Sequence, residues 1–464
     1  MSRRASISVY HADELPTGDE EARRISNAID EELRQEKELR KKKAAREVKV
    51  MLLGQAESGK STLQKQFQLY YASHSLDQER PLWRPIVYSN ILKALRMLMV
   101  ELDRRYGSGT EGPGSTPASN SILEGSPEPS DPLSDPVSVY PPELLAMLPP
   151  LQSLVDQEDA LASELSGGVK VTGRSGVFVR AGWQALITPN RAWPIADIRD
   201  TANRPTAVTN LVAGSLLHAQ GVIAQFWAHP LVRALVTASK VRLEESAAFF
   251  LNNIHRIAQA DYTPSTEDVL HVRLQTLGVT EHSIDIDIGG VRFNWLLYDV
   301  GGARGQASTS FHTRPSWVPY FEDATAIIFL APMSAFDQYL EEDPRTNRID
   351  DSLQLFTAIC QNKLLAKAAL VLMLNKADLL KKKLEAGIRV RKYISSYGDR
   401  PNTYEEVSEY FRAHFIQTHR RKDVSHRVLY THFTALLDIK ATQSIIISVG
   451  EAIMRQHLAS VGLS

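Results

Sequence analysis

Apolar positions along this chain follow two different rhythms, and the places where the rhythm changes mark its organisation. Short apolar runs of strand length occur at 48–53, 325–331, 369–374 and 428–433, each bounded by charged or turn-forming residues. The segment SIDIDIGGVRFNWLLYDV, 283–300, alternates apolar and acidic residues, pauses at Gly289-Gly290, and resumes as a second apolar run. That pattern predicts a hairpin. Between about 71 and 265 strand signals are sparse. Segments such as IVYSNILKALRMLMVELDRRY (86–106) and GVIAQFWAHPLVRALVTASK (221–240) place apolar residues at intervals of three and four, the spacing of amphipathic helices. The same spacing predicts a helix at about 440–459, with Ile445, Ile446, Val449, Ile453 and Leu458 on its packing face. Near the start, Ile25, Ile29 and Leu33 lie four apart within a highly charged arm. Strands separated by helices imply a mostly parallel sheet with one antiparallel edge, and a ligand site at the carboxyl ends of its strands.

Two stretches break the pattern. Residues 107–142 are rich in Gly, Ser and Pro, too poor in apolar groups to repay chain entropy, and are expected to be disordered. Residues 166–206 form a second irregular insert, although WQALITP and AWPIADI suggest some packing. Both read as insertions into helical connections, which cost little when they stay outside the core.

The candidate chemistry falls at strand ends. GQAESGKST, 54–62, follows the run VKVMLLG and fits the phosphate-loop pattern GxxxxGK[ST] in its strand-to-helix setting. Gly54 and Gly59 let the backbone curl, so that loop N–H groups and the following helix dipole face an anion. Lys60 is then expected to reach the outer phosphates and the Ser61 hydroxyl to ligate Mg2+, within a binding set of Glu57, Ser58, Gly59, Lys60, Ser61 and Thr62. FNWLLYDVGG, 293–302, ends a second strand in an acid and two glycines. Asp299 is suited to hold Mg2+ through water, and the Gly301-Gly302 turn to bring an N–H to a terminal phosphate. AALVLMLNKADLL, 368–380, ends a third strand in Asn375, Lys376 and Asp378. NKAD by itself is an ordinary polar turn. Behind a phosphate loop and a DxxG, Asp378 becomes an acceptor for the N1 and N2 donors of guanine, which adenine lacks, so GTP is favoured over ATP.

With these motifs in place the chain resembles the α subunits of heterotrimeric G proteins over most of its length. The resemblance includes AAREVKVMLLG at 44–54, IVYSN at 86–90, ESAAFFLNNIHRIAQADYTPSTEDVL at 245–270 and YFEDATAIIF at 320–329. It continues in NRIDDSLQLFTAICQNK at 347–363, NTYEE at 402–406 and LYTHFTA at 429–435. Small Ras-like GTPases share the loop, DxxG and NKxD, but lack the long segment between loop and first switch. The resemblance implies an α/β fold: a Ras-like P-loop GTPase domain, with a mostly parallel six-stranded sheet flanked by helices, carrying an inserted all-α helical domain. The corresponding division is an N-terminal charged helix or arm at 1–46, the GTPase domain at 47–70 and 266–464, and the helical domain at 71–265.

By position in DVLHVRLQT, 268–276, the resemblance makes Arg273 the built-in arginine finger and Thr276 a second Mg2+ ligand, with Leu270 beside the nucleotide. Glu245 and Ser246 align with residues that reach across the cleft, and Leu436 with the loop that meets the guanine oxygen. Catalysis would rest on Arg273 and Lys60. Departures from the family are equally specific. His271 and Leu277 replace an arginine and a threonine. Ala303 stands where the family has its water-orienting glutamine, and 14 residues separate Gly302 from Trp317, about seven more than usual. Gln306 takes the missing role only if that loop folds back. Ala56 replaces a loop glycine near the γ-phosphate, where an added Cβ crowds the transition state more than the ground state. Binding groups are kept and hydrolysis groups lost, so a slow GTPase is expected; the alternative is a GTP-dependent binding module with negligible turnover.

Composition narrows the partners. At 464 residues with 43% hydrophobic content the chain can build two cores. A formal net charge of −1 gives no electrostatic case for nucleic acid. A single cysteine, Cys360, excludes an internal disulfide and reads as a buried thiol in a helix. No uninterrupted run of about 18 apolar residues occurs, so no membrane span is expected. Family partners would be a βγ dimer, a seven-helix receptor acting on the C-terminal helix, and an effector. Gly does not follow Met1 and no cysteine lies near the terminus, so N-terminal lipidation is not expected. The location expected is cytoplasmic, with the inner face of the plasma membrane reached through partners or the basic cluster Arg40 to Lys43.

Overall fold

The computed structural model describes residues 26–38, 45–106, 140–166, 178–179, 207–237, 243, 245–273, 275–276, 279–288, 290–301, 324–340 and 343–461. Its centre is a six-stranded sheet: β1 (Glu47–Gly54), β4 (Val279–Ile288), β5 (Val291–Val300), β6 (Ala326–Pro332), β7 (Ala369–Asn375) and β8 (Leu429–Phe433), in the spatial order β4-β5-β1-β6-β7-β8. The β4-β5 pair is antiparallel and every other pairing is parallel. Mixed sheet and single antiparallel edge follow from the sequence pattern. β6 and β7 are buried at every position, as parallel strands covered on both faces must be. β4 lies at the edge, where Ile284 and Ile286 turn inward while Asp285 and Asp287 stay exposed. Gly290, at φ 79°, begins the return strand in a conformation few other residues adopt.

Strand alternation sorts the inner residues onto two faces. Met51, Leu53, Phe329 and Leu372 join one core, closed by the Arg348–Gln361 and Tyr404–Lys422 helices through Phe356, Phe411 and Phe415. Val50, Leu52, Ile328 and Met373 join the other. That face is covered by Leu63 and Phe67 of the Lys60–Tyr71 helix and by Ile446, Val449 and Ile453 of the Ile439–Val461 helix. Ile445 and Leu458 of the expected packing face are partly buried against the same cluster. The terminal helix begins where the Asp438 carboxylate accepts from the Ala441 amide at 3.0 Å, a local cap.

A third core is wholly helical and draws on residues from Leu76 to Val272. Its spine is a 34-residue helix, Ser73–Tyr106. The helix starts well before the 86–106 stretch picked out by periodicity and runs through Pro81 and Pro85, each of which removes a main-chain donor. Around it stand the helices Pro142–Val155, Glu158–Ser166, Ala207–Ala228 and Glu245–Asn252, with Pro230–Thr237 packed on Ala207–Ala228. Ala207–Ala228 is the one described helix long and apolar enough to cross a membrane by length and composition. Polar residues interrupt its apolar pattern, and here Val212, Leu216, Ile223 and Phe226 belong to the helical core.

The first insert ends earlier than its 107–142 reading. Tyr140 packs on Tyr106 at a ring distance of 5.8 Å, and Pro142 opens a helix at a position where its missing N–H costs nothing. Of the second insert, Ser166 closes a helix and Phe178–Val179 forms a short strand, β2. WQALITP and AWPIADI lie outside the described residues, as do 1–25, the basic cluster Arg40 to Lys43, and Gly302 to Asp323. Residues 26–38 are helical, with Ile29 and Leu33 exposed.

Cys360 is fully buried on the Arg348–Gln361 helix, and burial pushes its thiol up to about 12. At pH 8 the native chain should therefore react with a disulfide reagent on the order of a thousandfold more slowly than an exposed thiol, and at the ordinary rate once unfolded in urea. Equal rates in both states would contradict the buried placement.

Candidate functional site

The site is assembled where β1, β5, β7 and β8 end. β1 leaves the sheet at Gly54, φ 143°, where an added Cβ would stand 2.3 Å from the Leu330 carbonyl oxygen. Gly59, φ 105°, closes the loop, and a Cβ there would meet the Asn375 amide nitrogen at 2.3 Å. Both glycines are required by space as well as by dihedral. Between them Glu57 adopts a left-handed φ of 63°. The Lys60–Tyr71 helix starts directly after Gly59, so its first amides open towards the loop.

Lys60 folds back over that loop. Its buried ammonium donates to the carbonyl oxygens of Gly54 at 2.9 Å and Gln55 at 2.6 Å. Burial lowers its pKa to about 8, Asp299 opposes the shift and Arg348 adds to it. The Ser61 hydroxyl donates to Asp299 Oδ2 at 2.5 Å. Two residues 238 positions apart, both expected around Mg2+, are thus in contact. Hard oxygen donors of this kind suit Mg2+, which takes one or two protein ligands and completes its shell with phosphates and water. Among the described residues no group of three or more His, Cys, Asp or Glu is arranged to hold a metal. Ser61 and Asp299 therefore fit the ion.

The base side is built by side chains that tie one loop to the next. Asn375 donates to the Ser58 carbonyl at 2.7 Å, and its own amide oxygen accepts from the Thr434 hydroxyl at 3.0 Å. Lys376 takes a left-handed φ of 63°, after which Ala377 donates to the Thr434 carbonyl at 3.1 Å and Asp378 lies in the first turn of the Ala377–Glu385 helix. Leu436 is buried, with its side chain close to Gly59, and its carbonyl accepts from Gln66 at 2.6 Å. Phosphate loop, NKAD and the turn after β8 form one connected patch. Ser58 is fully buried within it, and Thr62 is half-buried on the following helix.

On the remaining side stands the Thr266–His271 helix. Ser265 and Asp268 cap it reciprocally, and Asp268 also pairs with Arg256 at 2.6 Å. Leu270 is buried. Lys65, itself buried, donates to the carbonyls of Val269 at 2.7 Å and Val272 at 3.0 Å, and stands over Trp83 at 4.6 Å. Asn90 grips the Arg273 backbone twice, accepting from its N–H at 3.0 Å and donating to its carbonyl at 3.2 Å. The Arg273 guanidinium pairs with Glu57 at 2.5 Å, and Arg348 holds the other Glu57 oxygen at 3.1 Å.

Thr276 follows in a two-residue strand, β3 (Gln275–Thr276), whose backbone pairs in parallel with β2 of the second insert. The Thr276 and Glu245 side chains lie outside the described residues. Ser246 is buried at the start of the Glu245–Asn252 helix, which packs against the Ser73–Tyr106 and Ala207–Ala228 helices. Gly301 is buried and is the last described residue of its turn; Gly302, Ala303 and Gln306 are beyond it.

Four residues at the site carry roles that spacing did not reveal: Gln55, Lys65, Asn90 and Arg348. Gln55 occupies a free position of the GxxxxGK pattern. Asn90 and Arg348 sit in IVYSN and NRIDDS, segments that carry resemblance but no chemistry visible in one dimension. Their partners lie 183 and 292 residues away.

A family model described as G-protein alpha subunit matches residues 23–453. The guanine nucleotide-binding protein alpha-4 subunit of Mycosarcoma maydis is 32% identical over 501 aligned positions, which span 91% of this chain and 84% of that one. Taken with the assembled loops and the mixed six-stranded sheet, these matches establish that the chain belongs to the G protein α subunit family.

Proposed function

We propose that this α subunit binds GTP firmly and hydrolyses it slowly, cycling between GDP and GTP forms downstream of a seven-helix receptor. As a family member it is a guanine-nucleotide-binding signal transducer. The observation that carries the finer reading is an imbalance. Groups that hold a nucleotide are present and mutually braced: Lys60 on its loop carbonyls, Ser61 on Asp299, and Asn375 on Ser58. At the two positions that favour the chemical step the chain carries Ala303 and Ala56 instead.

In this reading Ser61 and Thr276 hold Mg2+ directly and Asp299 holds it through water, and the bound ion offsets phosphate charge. Arg273 neutralises charge on the transferred phosphoryl group, but its guanidinium must first leave Glu57, to which it is paired. Asp378 selects guanine. The methyl group of Ala303 orients no water. A single turnover is therefore slow even with the arginine in place, and the GTP form persists unless exchange is slow too. Negligible turnover would make the protein a GTP-dependent binding module, the other end of the same scale.

The wider reading carries over from the family. A helical unit at 71–265 covers the nucleotide, with Glu245 and Ser246 on its cleft side. A βγ dimer and an effector meet the second switch, and a receptor meets the C-terminal helix. The protein works in the cytoplasm and reaches the inner face of the plasma membrane through these partners.

Single-turnover γ-phosphate release should be slow in the native chain and rise on the order of a hundredfold in Ala303→Gln; no gain would assign water placement elsewhere. Arg273→Ala should cost the Ala303→Gln variant about a thousandfold in rate with little change in GTP analogue affinity. Competition binding should show that Asp378→Ala loses roughly a hundredfold in GTP affinity and none in ATP affinity, whereas an equal loss for both would remove Asp378 from base selection.

A further inference from the structure

Gln55 stands second in the phosphate loop, its side chain almost fully buried. Its amide nitrogen donates to the Arg348 carbonyl at 2.8 Å and to the Asp351 carboxylate, both in the first turn of the Arg348–Gln361 helix. Arg348 answers in the opposite direction. Its guanidinium donates to the Ala56 carbonyl, to Glu57 at 3.1 Å and to Gln338 at 2.9 Å. Loop and helix are thus locked twice, once by the loop's side chain on helix groups and once by the helix's side chain on the loop backbone. The lock grips both residues flanking the Ala56-Glu57 peptide and so fixes Glu57 in its left-handed conformation. Glu57 is also the carboxylate that holds Arg273.

We propose that Gln55 is a positioning residue that fastens the phosphate loop to the Arg348–Gln361 helix, fixing Glu57 between its two arginines and slowing loss of the bound nucleotide. The inference rests on the nucleotide reading above and adds a residue to it. The physical argument is one of donors. The part-buried Asp351 carboxylate and the Arg348 carbonyl share one primary amide, and a group without N–H bonds at this position gives up both contacts between loop and helix. Glutamate, equal in size, also sets two carboxylates against each other, which then share a proton and titrate as a pair.

The test measures dissociation of a fluorescent GTP analogue with Mg2+ present, at pH 5.5 and pH 8, beside thermal unfolding of each variant. Gln55→Glu should release nucleotide on the order of tenfold faster than the native chain at pH 8. At pH 5.5, where the protonated glutamate again donates to Asp351, it should return to within about threefold. Asp351→Asn should be close to silent alone, since its amide oxygen still accepts from Gln55, and should suppress the defect in the Gln55→Glu background because its N–H then donates to the carboxylate. A residue that merely fills space would show no rescue by Asp351→Asn, although acid would still relieve the burial of a charged glutamate. Gln55→Ala, which introduces no charge, should also release about tenfold faster, and serves if Gln55→Glu fails to fold. Native release rates in Gln55→Ala, or a defect in Gln55→Glu that Asp351→Asn does not relieve, would overturn the proposal while leaving the nucleotide reading intact. A native chain that retains no analogue would overturn both.

Discussion

The tightest constraint in this protein is the space around the phosphate loop. The loop passes so close to the ends of β6 and β7 that a single carbon at Gly54 or Gly59 would collide with the Leu330 carbonyl or the Asn375 amide. Such closeness is possible only because β1, β6 and β7 run parallel and end at the same level, which in turn needs two apolar layers to bury both faces of the sheet. Covering helices, flanking cores and base-side turns all serve to keep that narrow gap at constant width. Lys60 adds the electrostatic half of the constraint. A cation with little access to water is stabilised by loop carbonyls that would otherwise splay apart.

A second theme is the sharing of charge. Glu57 is divided between Arg273 and Arg348, and Asp268 between Arg256, Tyr262 and the backbone of Ser265. Asp268 thereby draws together a local stretch within 12 residues of itself, whereas Glu57 joins pieces of chain remote in sequence. Lys65 does the same with a cation, joining the helix after the phosphate loop to the segment that leads into Arg273. Burial takes its pKa down to about 7, so the brace is held more by geometry than by a robust charge. Arg273 is thus fastened at its backbone by Asn90 and at its tip by Glu57.

Much of this architecture was legible in the residues, for identifiable reasons. The central strands announce themselves because parallel strands buried on both sides need unbroken apolar runs, and the edge hairpin because one solvated face forces Ile284, Asp285, Ile286 and Asp287 to alternate. The phosphate loop and NKAD are short and carry their chemistry in consecutive residues. What stayed hidden is long-range. Nothing near Gln55 announces Asp351, and nothing near Asn90 announces Arg273. The Ser73–Tyr106 helix extends upstream of the periodic 86–106 segment through Pro81 and Pro85, where Arg80 is anchored to Pro264 and Thr266. Tyr140 falls in a stretch whose composition predicts disorder, because composition averages over a window and misses one aromatic ring packed on Tyr106.

The pairing of Phe178–Val179 with Gln275–Thr276 gives the second insert an unexpected position. Main-chain groups make that ladder, so the pairing does not depend on which side chains occupy its four positions, proline excepted. The two segments nevertheless become mechanically continuous. The insert and the strand that carries Thr276 are tied to each other through main-chain pairing.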